Sequence, residues 1–363
     1  GDPSRPGHVN AKSAGVNPRR IGVYMGAGEG ILDFENYAAT NLAAWDPEKR
    51  DLDGARWGAA AYQKLAPTCE LEQEPQMAVT HLAQAFGCVG PAFNCMTACA
   101  ASTQAIGEAF EIIRRGDADV MLAGGAHSMI HPLGMTGFIR LTAMSKRCDS
   151  PDTAARPFDS TRDGFVMGEG AGVVILERLS HAQARGATPL VEVAGYGSSA
   201  DAYRITDIQP AGLGAVAAMS EALTQAGIDP HAVDGKGRPL VHYISAHGTG
   251  TKENDSIETK AVRTLFGDQA GRVPFSSIKS MMGHLIQAAG AVELITCVQA
   301  IKTGFVPPTI NMRSPDPECN LDYVPNAARD LREQGGVEVA MSNSFGFGGQ
   351  NDCVVVKRFR GDR

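Results

Sequence analysis

Three separated residues could do chemistry in this chain. Cys99 stands in Thr97-Ala98-Cys99-Ala100, His247 in His247-Gly248-Thr249-Gly250-Thr251, and His284 in Lys279-Ser280-Met281-Met282-Gly283-His284. Each sits where an apolar, strand-like run meets a turn or a helix. A thiolate nucleophile with two imidazoles suits chemistry on thioesters. At a strand-to-helix turn Cys99 lies at a helix N-terminus. There the backbone N–H groups and the macrodipole are expected to favour the thiolate and lower its pKa. The same N–H groups can donate to a developing oxyanion. The plainer reading is a small buried cysteine, but the flanks Ala98, Ala100, Ala101 and Ser102 leave room for a bulky ligand.

The two glycines of the His247 loop let backbone approach a ligand closely. Thr249 and Thr251 offer hydroxyls to a polar tail; the plainer reading is a histidine satisfied within its turn. His284 reads as the start of a helix, whose positive end opposes protonation. A neutral imidazole there can hold a thioester carbonyl without acting as a base; the plainer reading is an N-terminal cap. Lys279 lies five residues before His284. A buried lysine needs a carboxylate partner. Asp255 and Glu258 fall on the helix expected after the His247 loop, and Glu258 is the expected partner; the alternative is an exposed lysine.

Phe345-Gly346-Phe347-Gly348-Gly349 separates two strand patterns. Two aromatics spaced by glycine suit a hinged gate over an apolar pocket, or else a glycine-rich hairpin with core phenylalanines. Gly26-x-Gly28-x-Gly30 superficially resembles a dinucleotide loop, but no helix and acidic residue follow at the required spacing.

The elements that must position these residues follow from periodicity. Strands are expected at 21–25, 91–96, 119–125, 171–176, 190–196, 240–246 and 273–278, with a hairpin at 339–343 and 353–357. Helices are expected at 75–86, 180–185, 215–227, 256–266 and 285–301. The helix after Cys99 carries Ile106, Phe110 and Ile113 on one face, Arg114 and Arg115 in its last turn, and Gly116 as its stop. Residues 41–75 read as polar and irregular, with helix around 58–64. Residues 145–168 read as a long loop carrying Arg162-Asp163-Gly164-Phe165. Gly186-Ala187-Thr188-Pro189 is the best internal boundary. It divides a flexible lead-in at 1–20 and a half at 21–187 from a half at 188–363. A faint echo, Gln-Ala-x-Gly at 104–107 and again at 287–290, fits two duplicated halves.

The chain has 363 residues, 43% hydrophobic and 20% charged, with 42 glycines. That suffices for a large core with close helix–sheet packing, in one big domain or two fused halves. A net charge of −7 argues against a general nucleic-acid binder. No apolar run reaches the roughly 18 residues of a membrane span. No signal peptide is visible, which favours a reducing, cytoplasmic setting. The eight cysteines are scattered without a C-x-x-C pair, so neither a disulfide framework nor a metal site is expected.

These motifs together resemble the β-ketoacyl-acyl-carrier-protein synthases, closest to the type I/II condensing enzymes of the thiolase superfamily. The resemblance rests on Thr97-Ala98-Cys99, the 117–125 strand, Arg162-Asp163-Gly164-Phe165, Gly168-Glu169-Gly170-Ala171-Gly172, the loop 247–251, 279–284 with Ala288-Ala289-Gly290-Ala291, and 343–349. It spans about residues 20–358, in the family's order and spacings. It implies a thiolase-like αβαβα five-layer α/β fold from two similar halves, and a homodimer. It implies decarboxylative Claisen condensation, with Cys99 acylated from an acyl carrier protein and His247 and His284 binding the malonyl thioester. The backbone N–H groups of Cys99 and Phe347 would form the oxyanion hole, and Lys279 and Glu258 a supporting pair. Thr249 and Thr251 would meet the phosphopantetheine arm that arrives on the carrier, and Phe345 and Phe347 would gate the site. No cofactor of its own is implied.

The resemblance also implies differences and alternatives. The family's usual N-terminal segment before residues 21–25 is expected to be absent here. Glu74, in an acidic stretch, falls near the place of chain-length residues, which implies a non-standard acyl chain. Fatty acid and polyketide condensing enzymes use the same residues, so the polyketide pathway is the alternative, with a non-catalytic or truncated partner subunit behind it. A thiolase would need a second catalytic cysteine where this chain has Phe345 to Gly349. A starter-unit enzyme would pair one histidine with asparagine, and a Cys-His protease would need a third orienting residue.

Overall fold

A computed structural model describes residues 16–28 and 33–361. Gly30 and most of the 1–20 lead-in lie outside the described residues. Two sheets carry the molecule. The first has the order Ala92–Cys95, Ile21–Ala27, Val120–His127, Gly170–Glu177. Its first three strands are parallel and the last is antiparallel. The second has the order Val191–Ala200, Gln350–Arg358, Val339–Gly346, Tyr243–Ser245, Phe275–Ser276. Its last three are parallel, and the hairpin Val339–Gly346 with Gln350–Arg358 is antiparallel.

Parallel neighbours need long crossovers, and the helices supply them. Ala101–Arg115 and Ala289–Thr303 lie between the two sheets. Small residues face both ways on them: Ala101, Ala105 and Ala109 on one helix and Ala289, Ala291 and Ala300 on the other are buried. The two are tied where the Ala291 N–H donates to Ser102 Oγ at 2.9 Å. Met77–Phe86 covers the far side of the first sheet. Leu213–Gln225 and Lys252–Phe266 cover the far side of the second. The result is the expected five-layer αβαβα arrangement.

Both central helices are entered in one way. A 3-10 turn, Ala98–Ala100 or Ile286–Ala288, precedes each, and each turn opens on a left-handed residue, Ala98 at φ 48° and Ile286 at φ 42°. The two halves are therefore alike where they build the site. The Gln-Ala-x-Gly echo does not mark this likeness: Gln104 is inside its helix, whereas Gln287 is in the turn.

Some expectations are corrected. Residues 41–75 are not irregular; they hold the end of helix Phe34–Ala44, then helices Gly54–Lys64 and Pro67–Glu72. The helix expected around 58–64 is there and begins at Gly54, while the short Pro67–Glu72 helix, with no buried residue, left no stripe to read. Helix Pro132–Arg140 was not foreseen; Pro132 opens it and His131 Nδ1 caps it by accepting from the Gly134 N–H. The strands at 240–246 and 273–278 shrink to three and two residues. Their flanks Val241, Val273 and Ile278 are buried by packing rather than by a ladder. No helix among the described residues is long and apolar enough to cross a membrane.

Candidate active site

The turn after Ala92–Cys95, the loop after Tyr243–Ser245 and the loop after Phe275–Ser276 end at one point between the sheets. Cys99, His247 and His284 are all buried, and Sγ and one nitrogen of each ring lie within 4.8 Å of one another. The imidazole rings meet edge to face at 5.4 Å.

The pair of imidazoles is set up to donate. His284 Nδ1 accepts the Ile286 N–H at 3.1 Å, so the ring proton belongs on Nε2. That Nε2 is buried with no partner among the described residues. His247 Nδ1 faces Lys279 Nζ at 3.5 Å, which likewise leaves the proton on its Nε2. Burial first, then the Lys279 ammonium, push both rings well below the usual histidine range. His284 is neutral as expected, though for this reason rather than a helix end, since its helix begins only at Ala289. A cysteine and two histidines are also a donor set for a metal. Here, with each Nδ1 already accepting, both Nε2 atoms carry protons, which suits a carbonyl oxygen and not a cation.

Cys99 corrects the expected lowered pKa. Burial pushes its thiol up to about 11, against the pull of Lys279 and of the peptide N–H groups of Phe347 and Cys99. Those two N–H groups face Sγ, where an acyl oxyanion would form. The resting residue is therefore a thiol. Its polar surroundings act on charge that develops during reaction.

Lys279 does not pair with Glu258. Its ammonium pairs with Glu293, buried in Ala289–Thr303, and donates to the His247 carbonyl at 2.6 Å. A lone glutamate in the apolar run Ala289-Gly290-Ala291-Val292-Glu293-Leu294 was the available signal. Glu258 instead accepts the N–H groups of His247 and Gly248 at 2.9 and 2.8 Å and the Asn343 amide at 3.3 Å. It holds the His247 loop in place. Asp255 accepts the N–H groups of Phe158 and Gly250 and pairs with the buried Arg162 at 3.3 Å. Arg162, whose guanidinium also reaches the Thr251 and Lys252 carbonyls, thereby locks the other end of that loop.

Thr249 and Thr251 share a hydroxyl contact at 3.0 Å, and Thr251 also caps Lys252–Phe266. Phe345 is not on a free loop. It is buried at the end of its strand, with its ring 5.7 Å from that of His247. Phe347 is half-buried in the turn before Gly348 and Gly349.

A cavity of about 450 Å³ opens from Cys99. Met129, Leu133, Phe138, Leu141, Ile286 and Phe347 give it apolar walls, Leu133 and Phe138 from the unforeseen Pro132–Arg140 helix. Glu74 does not line it and is exposed. Gly26 lies in the strand Ile21–Ala27, where a Cβ would stand 2.4 Å from the Ala101 backbone. It lets the Cys99 helix press on the sheet.

A thiol, two imidazole donors and two peptide N–H groups at the mouth of an acyl-sized cavity define a condensing enzyme. The family described as "Beta-ketoacyl synthase, N-terminal domain" matches residues 8–182, and "Beta-ketoacyl synthase, C-terminal domain" matches 190–313. The chain belongs to the β-ketoacyl synthase family, whose members are acyltransferases. Among its relatives is the 3-oxoacyl-[acyl-carrier-protein] synthase 2 of Staphylococcus aureus (strain COL), 42% identical over 340 residues, 94% of this chain and 75% of that protein. The protein of the same name from Synechocystis sp. is 47% identical over 274 residues, 76% of this chain and 63% of its own. Among solved structures, a β-ketoacyl synthase from Burkholderia phymatum has a TM-score of 0.80 at 32% identity, over 94% of this chain and 76% of that one. A type II PKS ketosynthase, solved with its acyl-carrier protein and bound to the hexaketide, has a TM-score of 0.82 at 33% identity, over 96% and 82%.

Proposed function

We propose that this chain extends an acyl group by decarboxylative Claisen condensation with malonyl-acyl carrier protein, in fatty acid synthesis. The observation that carries the reading is the His284 Nε2–H, buried and unpartnered beside Cys99 and His247. In the first step the Cys99 sulfur bonds to the acyl carbonyl carbon. The carrier's C–S bond breaks, and the thiol proton passes to the departing carrier thiol. In the second, the malonyl carboxylate leaves as carbon dioxide. The electron pair of the broken C–C bond becomes an enolate, whose oxygen is held by the Nε2–H groups of His247 and His284. The enolate carbon attacks the acyl carbon, and the oxyanion rests on the N–H groups of Cys99 and Phe347. The Cys99 thiolate leaves and takes a proton from solvent. No strong base is required, which fits two neutral imidazoles.

The phosphopantetheine arm of the carrier brings both thioesters past Phe347, with Thr249 and Thr251 beside its path. Two copies form a homodimer in the cytoplasm. The eight unpaired cysteines support a reducing compartment. Ala92–Cys95 supports the dimer as an open sheet edge, with Phe93 and the following Met96 exposed. The polyketide pathway is the second reading, favoured by the likeness to the ketosynthase bound to a hexaketide.

The test is intact mass after incubation with acyl-carrier proteins, beside Cys99→Ala. An acyl adduct is expected on the native chain and none on the variant. Because the imidazoles alone hold the enolate, Cys99→Ala is expected still to release carbon dioxide from malonyl-carrier protein. A variant that keeps the adduct overturns the reading.

A further inference from the structure

The acyl cavity has one polar side chain besides the nucleophile. Gln287, in the turn Ile286–Ala288, lines it and is 4% exposed. Its Oε1 is buried with no hydrogen-bond partner among the described residues. The amide is held there on purpose-built backbone. A Cβ on Gly28 would stand 2.1 Å from Gln287 Nε2, and one on Gly125 would stand 2.6 Å from the Gln287 main-chain oxygen, so the first makes room for the amide and the second for the turn that carries it. The preceding Ile286 is fixed in its left-handed conformation with its N–H on His284 Nδ1. Gly28 thus makes room for an amide that a saturated acyl chain could not satisfy, while Gly125 and the left-handed Ile286 shape the turn that presents it. Leaving a buried amide group unpaired is costly. A site with a polar group to pair discriminates strongly against a ligand that lacks the matching group.

We propose that Gln287 selects acyl groups bearing an oxygen substituent, a hydroxyl or keto group along the chain, over plain alkyl chains. A hydroxyl donates to Oε1, and a keto oxygen accepts from Nε2. The inference rests on the acyl-transfer reading above and names its substrate class.

The experiment follows Cys99 acylation by intact mass in the full chain. The donors are carrier proteins loaded with octanoyl, or with octanoyl carrying a hydroxyl or keto group at carbon 3, 5 or 7. At least one oxygenated donor is expected to react about tenfold faster than octanoyl. Gln287→Leu is expected to erase that ratio by raising the octanoyl rate and lowering the other. Gln287→Gly, which adds no bulk, serves if the leucine variant does not fold, and the native ratio stands without either. Octanoyl reacting as fast as every oxygenated chain in the native protein, or a ratio unchanged in the variants, overturns the inference and leaves the acyl-transfer reading intact. An absence of adduct from all donors overturns both. Preference for hydroxyl or for keto chains tells whether the amide accepts or donates.

Discussion

At the residue scale, Lys279 is the most instructive group. It is 3% exposed, its charge is matched by Glu293, and it reaches both the carbonyl and the Nδ1 of His247. Removing one member of a buried ion pair leaves the other unpaired, which costs about 3–5 kcal/mol. Lys279→Met is therefore expected to destabilise by that amount in urea unfolding and to abolish condensation. Lys279→Met with Glu293→Leu is expected to recover most of the stability and none of the activity, because His247 Nδ1 still lacks its donor. A double variant no more stable than the single would refute the pairing. Lys279 was legible as a residue in need of a partner. The choice of Glu293 over Glu258 was not, since it depends on which helix crosses behind the His247 loop.

At the element scale, the approach of helix to sheet governs the Cys99 turn. A Cβ on Gly26 meets backbone, which cannot rotate away. Gly26→Ala is expected to lower stability by about 1–3 kcal/mol and to slow acylation by displacing the turn. Gly58→Ala, in the exposed helix Gly54–Lys64 with nothing near its Cβ, is expected to stabilise by about 0.5–1 kcal/mol. Thermal unfolding of the two together checks both signs.

A second element-scale feature lies where Gln350–Arg358 and Val191–Ala200 face the Cys99 helix. Asp352 is buried there and accepts the Tyr196 hydroxyl at 2.7 Å. Burial raises its pKa to about 6, opposed by the Tyr196 and Ser198 hydroxyls and reinforced by Glu108. Cys95 and Tyr24, both with raised pKa values, face the same charge. A folded-state value above the unfolded one means that the folded protein binds this proton more tightly. Stability from the group is full below about pH 4 and is lost as the pH rises through 6. Asp352→Asn is expected to come within about 1 kcal/mol of the native chain near pH 4.5 and to exceed it by about 3 kcal/mol near pH 7.5. A stability gap independent of pH would rule this out.

At the scale of the whole molecule, the exposed edge Ala92–Cys95 leads directly into the Cys99 turn. A dimer built on that edge would hold both active-site turns rigid. Phe93→Lys is expected to give a monomer in sedimentation velocity and to lower condensation several-fold. A dimer undisturbed by the lysine would place the interface elsewhere.

The sequence by itself determined the candidate residues Cys99, His247 and His284, the strand–turn–helix settings of Cys99 and His247, the two-sheet α/β class and the family. Those features depend on local periodicity, small residues at turns and motif spacing, all of which act over a few neighbouring positions. Only the tertiary structure decided that Cys99 rests as a thiol, that Lys279 pairs with Glu293, that Phe345 is buried at the end of its strand against His247, and that Glu74 stays clear of the acyl cavity. It also decided that Gln287 enters that cavity. Each of these depends on burial and on neighbours from distant parts of the chain, and desolvation acts on a group only after folding has chosen what surrounds it.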